Sequence, residues 1–395
     1  MTAKRPYGMW QSIHRRQFLL SLASAALSIP GIVSAQTARR VVIVGAGAAG
    51  LTAAFHLRRA GVEVTVLEAA PGWGGRVARL TGFADFPIDT GAEWIHDDPT
   101  ILGQILGQEN TDLGIETIDY RPQTYQVYSN GNLRPRNLLR IGYSEVKFET
   151  TTWYGFFERF VVPDLGDSIV LNAPVTDIEQ TSNGVSVRVQ DGRRFDADHV
   201  LVTVPVSILK SASIRFTPTL PDRIVEGLEG IQFGEGFKVF LKFRERFYPD
   251  ILIAGPIQNF ISDAWDEKTY YDAAFGKPSE DNILGLFTAS QDQLSRARLG
   301  DDELISDVLA ELDEIYDGTA SRVFETAHVK NWSRVPYIRG SYSMAIETDQ
   351  PVDEILAPIN GRVHFAGEVL GGNAQATVHG AALSAIQAVD RILNS

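Results

Sequence analysis

The chain of 395 residues contains no cysteine. This absence excludes disulfide bonds, thiolate metal ligands and a cysteine nucleophile, and no metal site is predicted. The sequence also has no internal repeat and no low-complexity segment, and 44% of its residues are hydrophobic. Such a composition indicates a packed globular protein, and the length is sufficient for two modest domains.

Long hydrophobic runs are scarce too. The apolar run from Phe18 to Val33 contains Pro30 and is shorter than the ~20 residues that a membrane span needs. It follows the pair Arg15-Arg16, and Val33-Ser34-Ala35 resembles an A-x-A cleavage site. Residues 1–35 are therefore predicted to be a twin-arginine signal peptide, with a membrane anchor as the alternative. This signal predicts a bacterial periplasmic or secreted protein that the twin-arginine machinery exports already folded.

Positive charge is in short supply. The formal net charge is −13, and residues 1–35 carry four positive charges and no negative one, so the remainder carries −17. No nucleic-acid partner is expected from such a balance. A cationic substrate would be attracted, although many soluble proteins are simply acidic.

Residues 39–76 give the strongest structural signal. Val41–Val44 is a short β-branched run typical of a buried parallel strand. Leu51–Ala60 has the pattern of a helix that stops at Gly61, and Val62–Leu67 predicts a second strand. This order predicts a βαβ unit.

Three glycines, Gly45, Gly47 and Gly50, form a G-x-G-x-x-G pattern between the first strand and the helix. They allow a tight turn, close approach of the backbone to a pyrophosphate, and close packing of the helix on the strand, respectively. The helix N-terminus offers free N–H groups to phosphates. Glu68 ends the second strand, where it is placed to accept a hydrogen bond from a ribose hydroxyl. The pattern predicts a dinucleotide-binding site.

Two following segments narrow the choice of dinucleotide. "EAAPGWGGRVARL" contains Gly74-Gly75-Arg76, and "PIDTGAEWIH" spans residues 87–96. They resemble the GGR and D-x-G-A-x-W-I-H blocks of the flavin-containing amine oxidase family. The resemblance implies FAD, held non-covalently because no cysteine is available for a thioether link. The cofactor-binding residues that it implies here are Gly75, Arg76, Gly91, Ala92, Glu93 and Trp94.

Later segments resemble further blocks of the family in the same order. Residues 169–210 resemble the middle FAD segment, in which the backbone of Val175 would meet the adenine. Residues 331–343 resemble the W…GSYS block, and residues 363–393 resemble the C-terminal FAD motif. The resemblance covers nearly all of residues 40–395.

The last two blocks imply further contacts with the cofactor. Trp332 would lie at the dimethylbenzene end of the flavin, with a core tryptophan as the alternative. Gly367 and Glu368 would lie near the ribityl and phosphate groups. Apolar residues recur at helical spacing from Val378 onwards, and a helix that starts near Thr377 would aim its N-terminal N–H groups at the flavin pyrimidine edge.

The resemblance also implies an α/β fold. A Rossmann-like FAD-binding domain of the glutathione-reductase type would be interleaved with a smaller α+β substrate domain, a mixed sheet flanked by helices. The FAD-binding domain is predicted to comprise residues 40–95, 169–230 and 331–395. The substrate domain would comprise residues 96–168 and 231–330, which is short for the family, so its pocket is either more open or covered by a second subunit in a homodimer.

Two residues are the candidates for catalysis. Residues 237–250 resemble the strand that carries the family's flavin-facing lysine, which implies that Lys238 bonds through a water to flavin N5 and assists reoxidation. The alternative is an ordinary strand lysine with its head in solvent. His96 matches a histidine at the substrate entrance of polyamine oxidases, with a loop histidine as the alternative. Near that entrance Glu93, Asp97 and Asp98 are candidates to meet a distal ammonium, or else belong to a solvated loop.

The motif "ATVHGAALS" is similar to the polyamine oxidase and histone demethylase branch, with Thr377 where monoamine oxidases have a tyrosine. The expected reaction is FAD-dependent oxidation of a di- or polyamine, or another secondary amine, to an imine that hydrolyses to an aldehyde, while O2 becomes H2O2. The alternatives are a C–C desaturase or porphyrinogen-type oxidase, an amine dehydrogenase that uses an electron-carrier protein, and a non-catalytic flavoprotein.

Overall fold

The computed structural model describes residues 39–135, 145–255, 268–288 and 294–395. The predicted signal peptide, residues 1–35, lies outside the described residues. Among the helices that the structure describes, none is both long enough and apolar enough to cross a membrane.

A five-stranded sheet lies at the centre of the nucleotide-binding part. In spatial order its strands are β10 (Ile169–Val170), β2 (Glu63–Leu67), β1 (Arg40–Val44), β14 (His199–Val202) and β23 (Val363–Phe365). All four pairings are parallel. The predicted βαβ unit is confirmed, because β1 and β2 are joined by helix α1 (Ala48–Arg59) and pair in register.

The parallel sheet is buried on both faces, which explains its continuous β-branched runs. Val41 and Ile43 of β1 pack against α1 and the C-terminal helix α10 (Val378–Leu393). Val42 and Val44 pack on the other side, against a four-stranded sheet. That sheet has the order β13 (Arg194–Ala197), β12 (Gly184–Val189), β11 (Val175–Thr181) and β15 (Arg215–Thr217).

A seven-stranded mixed sheet forms the second part of the fold. Its order is β21 (Phe324–Asn331), β17 (Phe237–Phe243), β20 (Asn282–Thr288), β19 (Lys268–Asp272), β18 (Ile251–Ala254), β7 (Tyr125–Ser129) and β8 (Asn132–Pro135). The β18–β7 pair is parallel and the other pairs are antiparallel. Helix α7 (Asp301–Ile315) packs on one face against Phe237, Val239 and Leu241. The predicted α/β class, with a mixed sheet flanked by helices, is confirmed.

Smaller elements connect these sheets. The further strands are β3 (Arg79–Leu80) with β4 (Ile88–Asp89), β5 (Trp94–Ile95) with β9 (Glu145–Phe148) and β6 (Thr117–Tyr120), and β16 (Ile231–Phe233) with β22 (Ser343–Ile346). The further helices are α2 (Ile101–Ile105), α3 (Trp153–Phe160), α4 (Val206–Lys210), α5 (Asp222–Glu229), α6 (Leu294–Ala297), α8 (Thr319–Val323) and α9 (Val352–Ile355). Helices α2 and α3 share the core of α1 and α10. The residue boundaries of the two domains stay a prediction.

Candidate active site

The glycine loop between β1 and α1 provides an open helix N-terminus. Gly47 is the N-cap of α1, no side chain caps the helix, and its first turn contains no acidic residue. A Cβ on Gly50 would lie 1.9 Å from the backbone O of Gly45, so only glycine permits this approach. The N–H groups at the start of α1 are thus free to bind a pyrophosphate, and this loop fits the phosphates of FAD.

Glu68 follows β2 and is held by two backbone donors. Its Oε2 accepts from Ala46 N at 2.7 Å, and its Oε1 accepts from Ala70 N at 2.8 Å. Burial raises the pKa of Glu68, while these backbone N–H groups act in the opposite direction. The carboxylate is therefore fixed beside the glycine loop, where the sequence predicts a ribose contact.

Arg76 and Glu368 come together from distant parts of the chain. Arg76 Nη1 donates to Glu368 Oε1 at 3.2 Å and to the backbone O of Ser341 at 2.7 Å. The hydroxyl of Ser343 donates to the other oxygen of Glu368. The GGR segment is thereby joined to the GSYS block and to the segment after β23. A Cβ on Gly91 would lie 1.8 Å from the backbone O of Arg76, which explains the glycine there.

Thr377 caps helix α10 with its own side chain. Its Oγ1 accepts from Gly380 N at 2.9 Å and donates to the backbone O of Ala374 at 2.7 Å. The predicted helix start is confirmed, because α10 begins at Val378. No acidic residue occupies its first turn, so the remaining N–H groups and the helix dipole are available to a negatively charged ring edge.

Trp332 lies beside the strand that carries the candidate lysine. Its Nε1 donates to the backbone O of Thr90 at 3.0 Å, and 6% of the residue is exposed. The ammonium of Lys330 is 4.4 Å from the Trp332 ring centroid, and burial lowers the pKa of Lys330.

Among the other predicted cofactor residues, Val175 starts β11, Gly367 N donates to Ser384 Oγ at 3.0 Å, and Ala92 N donates to the backbone O of Arg76 at 3.3 Å.

Lys238 is buried in the interior, so the alternative of a lysine with its head in solvent is excluded. It lies on β17 with 2% exposure. Its Nζ donates to Glu93 Oε2 at 2.9 Å and to the backbone O of Asp89 at 3.2 Å. Aromatic rings surround this ammonium at 5.3 to 6.0 Å from their centroids: Trp94, Phe240, Tyr271 and Phe287.

Glu93 is shared among three buried groups. In addition to Lys238, the ammonium of Lys147 lies 2.7 Å from its Oε1, and the hydroxyl of Tyr271 donates to its Oε2 at 2.6 Å. Burial alone would raise the pKa of Glu93, but the charges of Lys147 and Lys238 outweigh it and lower the pKa to about 2. We call Glu93, Lys147, Lys238 and Tyr271 the Glu93 cluster.

The Glu93 cluster corrects one expectation from the sequence. Glu93 is 6% exposed and already neutralised by lysines, so it is not free to meet the distal ammonium of a substrate. Asp97 and Asp98 are exposed, as a solvated loop requires. His96 is 44% exposed at its side chain, and its Nδ1 lies 3.0 Å from Glu145 Oε2. Its catalytic role stays a prediction.

A small cavity adjoins the cluster. It has room for about one water molecule, and Asp89, Glu93, Lys147 and Lys277 contribute to its lining. Burial and the charge of Glu93 raise the pKa of Asp89 well above its usual value. Burial and the charge of Lys147 lower the pKa of Lys277 to about 8. Ionisable groups perturbed in this way are typical of functional sites.

Sequence reasoning missed Lys147, Tyr271 and a pair of aromatic rings. Phe287 and Tyr342 lie nearly parallel, with an interplanar angle of 19° and centroids 6.5 Å apart. A Cβ on Gly285 would lie 2.7 Å from the Tyr271 ring, so this glycine makes room for it. The local sequence signal for Lys147 is a lysine in the short strand "EVKF", and this pattern fits a surface strand equally well.

The glycine loop, the Arg76–Glu368 pair and the buried lysine beside an aromatic wall define an FAD-dependent oxidoreductase. The model of the family "Flavin containing amine oxidoreductase" matches residues 48–150 and 157–393. The chain belongs to this family and is an FAD-dependent amine oxidoreductase.

Individual relatives agree with this assignment. The chain is 24% identical to polyamine oxidase 1 of Zea mays, over 95% of each chain. It is 24% identical to lysine-specific histone demethylase 2 of Homo sapiens, over 90% of this chain and 53% of that protein. A structure of putrescine oxidase bound to putrescine superposes with a TM-score of 0.73 at 19% identity, covering 90% of this chain and 99% of that one, and shows the shared fold.

Proposed function

We propose that this protein oxidises a di- or polyamine, or another secondary amine, to an imine that hydrolyses to an aldehyde, and that O2 reoxidises the flavin to give H2O2. The observation that carries the proposal is that the ammonium of Lys238 is buried and paired with Glu93. The family resemblance implies that this lysine faces the flavin. The polyamine oxidases and the putrescine oxidase among the similar proteins support this substrate class.

FAD, when bound, supplies the acceptor for a hydride from the carbon next to the amine nitrogen. The chain's own residues bind and orient it through the glycine loop, Glu68 and the start of α10. Lys238 is fixed by the Glu93 carboxylate and the backbone O of Asp89. With FAD bound, it would hold a water near the flavin and supply a proton during reoxidation. The aromatic rings around it exclude bulk water.

The charge of the Glu93 cluster fits amine oxidation in a specific way. Only an amine with a free lone pair can lose a hydride, and most alkylamines are protonated at neutral pH. Two ammonium groups share one carboxylate here, and nearby positive charge disfavours a third cation. The cluster would therefore favour the neutral form of the reacting nitrogen, while the net negative charge of the protein attracts the cationic substrate from a distance.

An anaerobic absorbance titration tests the proposal. Putrescine, spermidine, spermine, a monoamine and an amino acid are added in turn to the FAD-loaded protein. Bleaching of the oxidised-flavin band by the di- or polyamines is expected. Bleaching by the amino acid alone would redirect the substrate class, and no bleaching by any would favour C–C desaturation or a non-catalytic flavoprotein. Stoichiometric H2O2 on admission of air would distinguish an oxidase from a dehydrogenase that needs a carrier protein.

We further propose export by the twin-arginine route to the periplasm or beyond, on the basis of Arg15-Arg16 and the segment that follows. Replacing both arginines with lysine should retain the protein in the cytoplasm, because that pathway reads the arginine pair. Fractionation of cells that express each form measures this. Continued export of the Lys-Lys form would show that residues 1–35 are another kind of leader. The homodimer that would cover the short substrate domain also stays a prediction.

A further inference from the structure

Lys147 is a second buried lysine beside Glu93, and the Glu93–Lys238 pair does not need it for neutrality. Its side chain is 1% exposed, and its ammonium lies 2.7 Å from Glu93 Oε1. It sits on β9, directly opposite Trp94 in the β5–β9 pairing, so the two side chains share a face. The strand thus delivers this ammonium to the far side of the carboxylate that holds Lys238.

Aromatic rings lie close to the ammonium groups of both lysines. The Lys147 ammonium lies 5.1 Å from the ring centroid of Tyr120, 5.6 Å from that of Tyr271 and 6.0 Å from that of Trp94. Trp94 and Tyr271 also face Lys238. Ring faces attract cations, and more strongly where water is excluded.

The surrounding groups leave this site with excess positive charge. Glu93 contributes one negative charge against two ammonium groups. Asp89, the other carboxyl group at the cavity, is held towards its neutral form by burial and by Glu93. The ammonium of Lys277 also lines the cavity and donates to the backbone O of Phe148 at 2.8 Å.

A buried excess charge is costly, and an apolar side chain of similar size would fill the same space at lower cost. A charge retained under such conditions is a candidate for a functional role. Reduction adds negative charge to a flavin, and positive charge in a water-poor site stabilises it.

We propose that Lys147 is a positioning residue that shares Glu93 with Lys238, leaves Lys238 only partly neutralised, and so favours reduction of the bound flavin. The inference rests on the proposed function only for the placement of Lys238 at the flavin.

The test is the midpoint potential of the bound FAD, measured by titration with a chemical reductant against a reference dye. Lys147→Met should shift this potential to a lower value, because Glu93 then neutralises Lys238 fully. Lys147→Gln removes the same charge but keeps a donor for Glu93, and it should shift the potential in the same direction. The second variant keeps the test decisive if the first one folds poorly.

Lys242→Met is the matched control. Lys242 lies four residues along β17 on the same face as Lys238, but it is 24% exposed at its side chain and pairs with Asp281 at 2.7 Å. The Lys242→Met substitution removes one positive charge at a position where solvent screens it. The midpoint potential of the bound FAD should therefore stay at the wild-type value.

Three results would overturn the inference. The first is an unchanged potential in both Lys147 variants with FAD bound. The second is an equal shift in Lys242→Met, which would make the effect one of overall charge. The third is loss of FAD from both folded Lys147 variants, which would make Lys147 a binding residue. Because the titration uses no amine, failure of the proposed amine oxidation would not affect its outcome.

Discussion

Glu93→Gln is expected to lose more stability than any other single substitution in the Glu93 cluster. The change leaves the ammonium groups of Lys147 and Lys238 buried without their counter-ion. Removing one partner of a buried ion pair costs about 3–5 kcal/mol. The midpoint of denaturant-induced unfolding of the FAD-loaded protein at pH 7 measures the loss.

The pKa of Glu93 also predicts how this loss of stability depends on pH. The pKa of Glu93 is about 2 in the folded protein and about 4.3 in an unfolded chain. A lowered folded pKa stabilises the protein above the unfolded value, and this contribution is lost as the pH falls from about 4.3 towards 2. The difference in unfolding free energy between the wild type and Glu93→Gln should therefore decrease as the pH falls through this range.

A double variant serves as the control. Glu93→Gln combined with Lys147→Met leaves one unpaired ammonium instead of two, so it should recover part of the lost stability. Equal midpoints for the wild type and Glu93→Gln at pH 7 would contradict the shared ion pair. A double variant less stable than Glu93→Gln would show that Lys147 contributes chiefly through packing.

Lys238→Met is expected to slow reoxidation of the reduced flavin by O2 by roughly 100-fold or more, as the loss of a positioned proton donor typically does. FAD binding should change little, because Glu93 keeps its ion pair with Lys147 and is not left as a buried charge without a partner. Stopped-flow mixing of the reduced protein with oxygenated buffer measures the rate, and FAD fluorescence measures binding.

Lys242→Met again provides the comparison, since it changes a lysine of the same strand away from the site. Its reoxidation rate should match that of the wild type. An unchanged rate in Lys238→Met would remove Lys238 from the reaction. Weakened FAD binding together with an unchanged rate in the bound fraction would assign the residue to cofactor binding instead.

Much of the nucleotide-binding part could be predicted because its signals are local. The β-branched run, the three glycines and the helix that follows fall within 20 consecutive residues, and each step needs only backbone geometry. Thr377 is the N-cap of α10, and its hydroxyl oxygen accepts from the N–H of Gly380 three residues further on, as N-cap threonines do. The apolar alternation of Val185, Val187 and Val189 is another local signal, and it coincides with the strand β12.

The sequence by itself therefore determined the glycine loop, the parallel strands and the family blocks of this protein. Only the tertiary structure decided which charges meet: Lys238 and Glu93 are 145 positions apart, and Lys147 reaches the same carboxylate from a strand between them. The local sequence around a strand lysine is the same whether its ammonium group lies in solvent or is buried. The free energy of burying a charge depends on the partner that the fold brings within about 3 Å, and no local pattern records that partner.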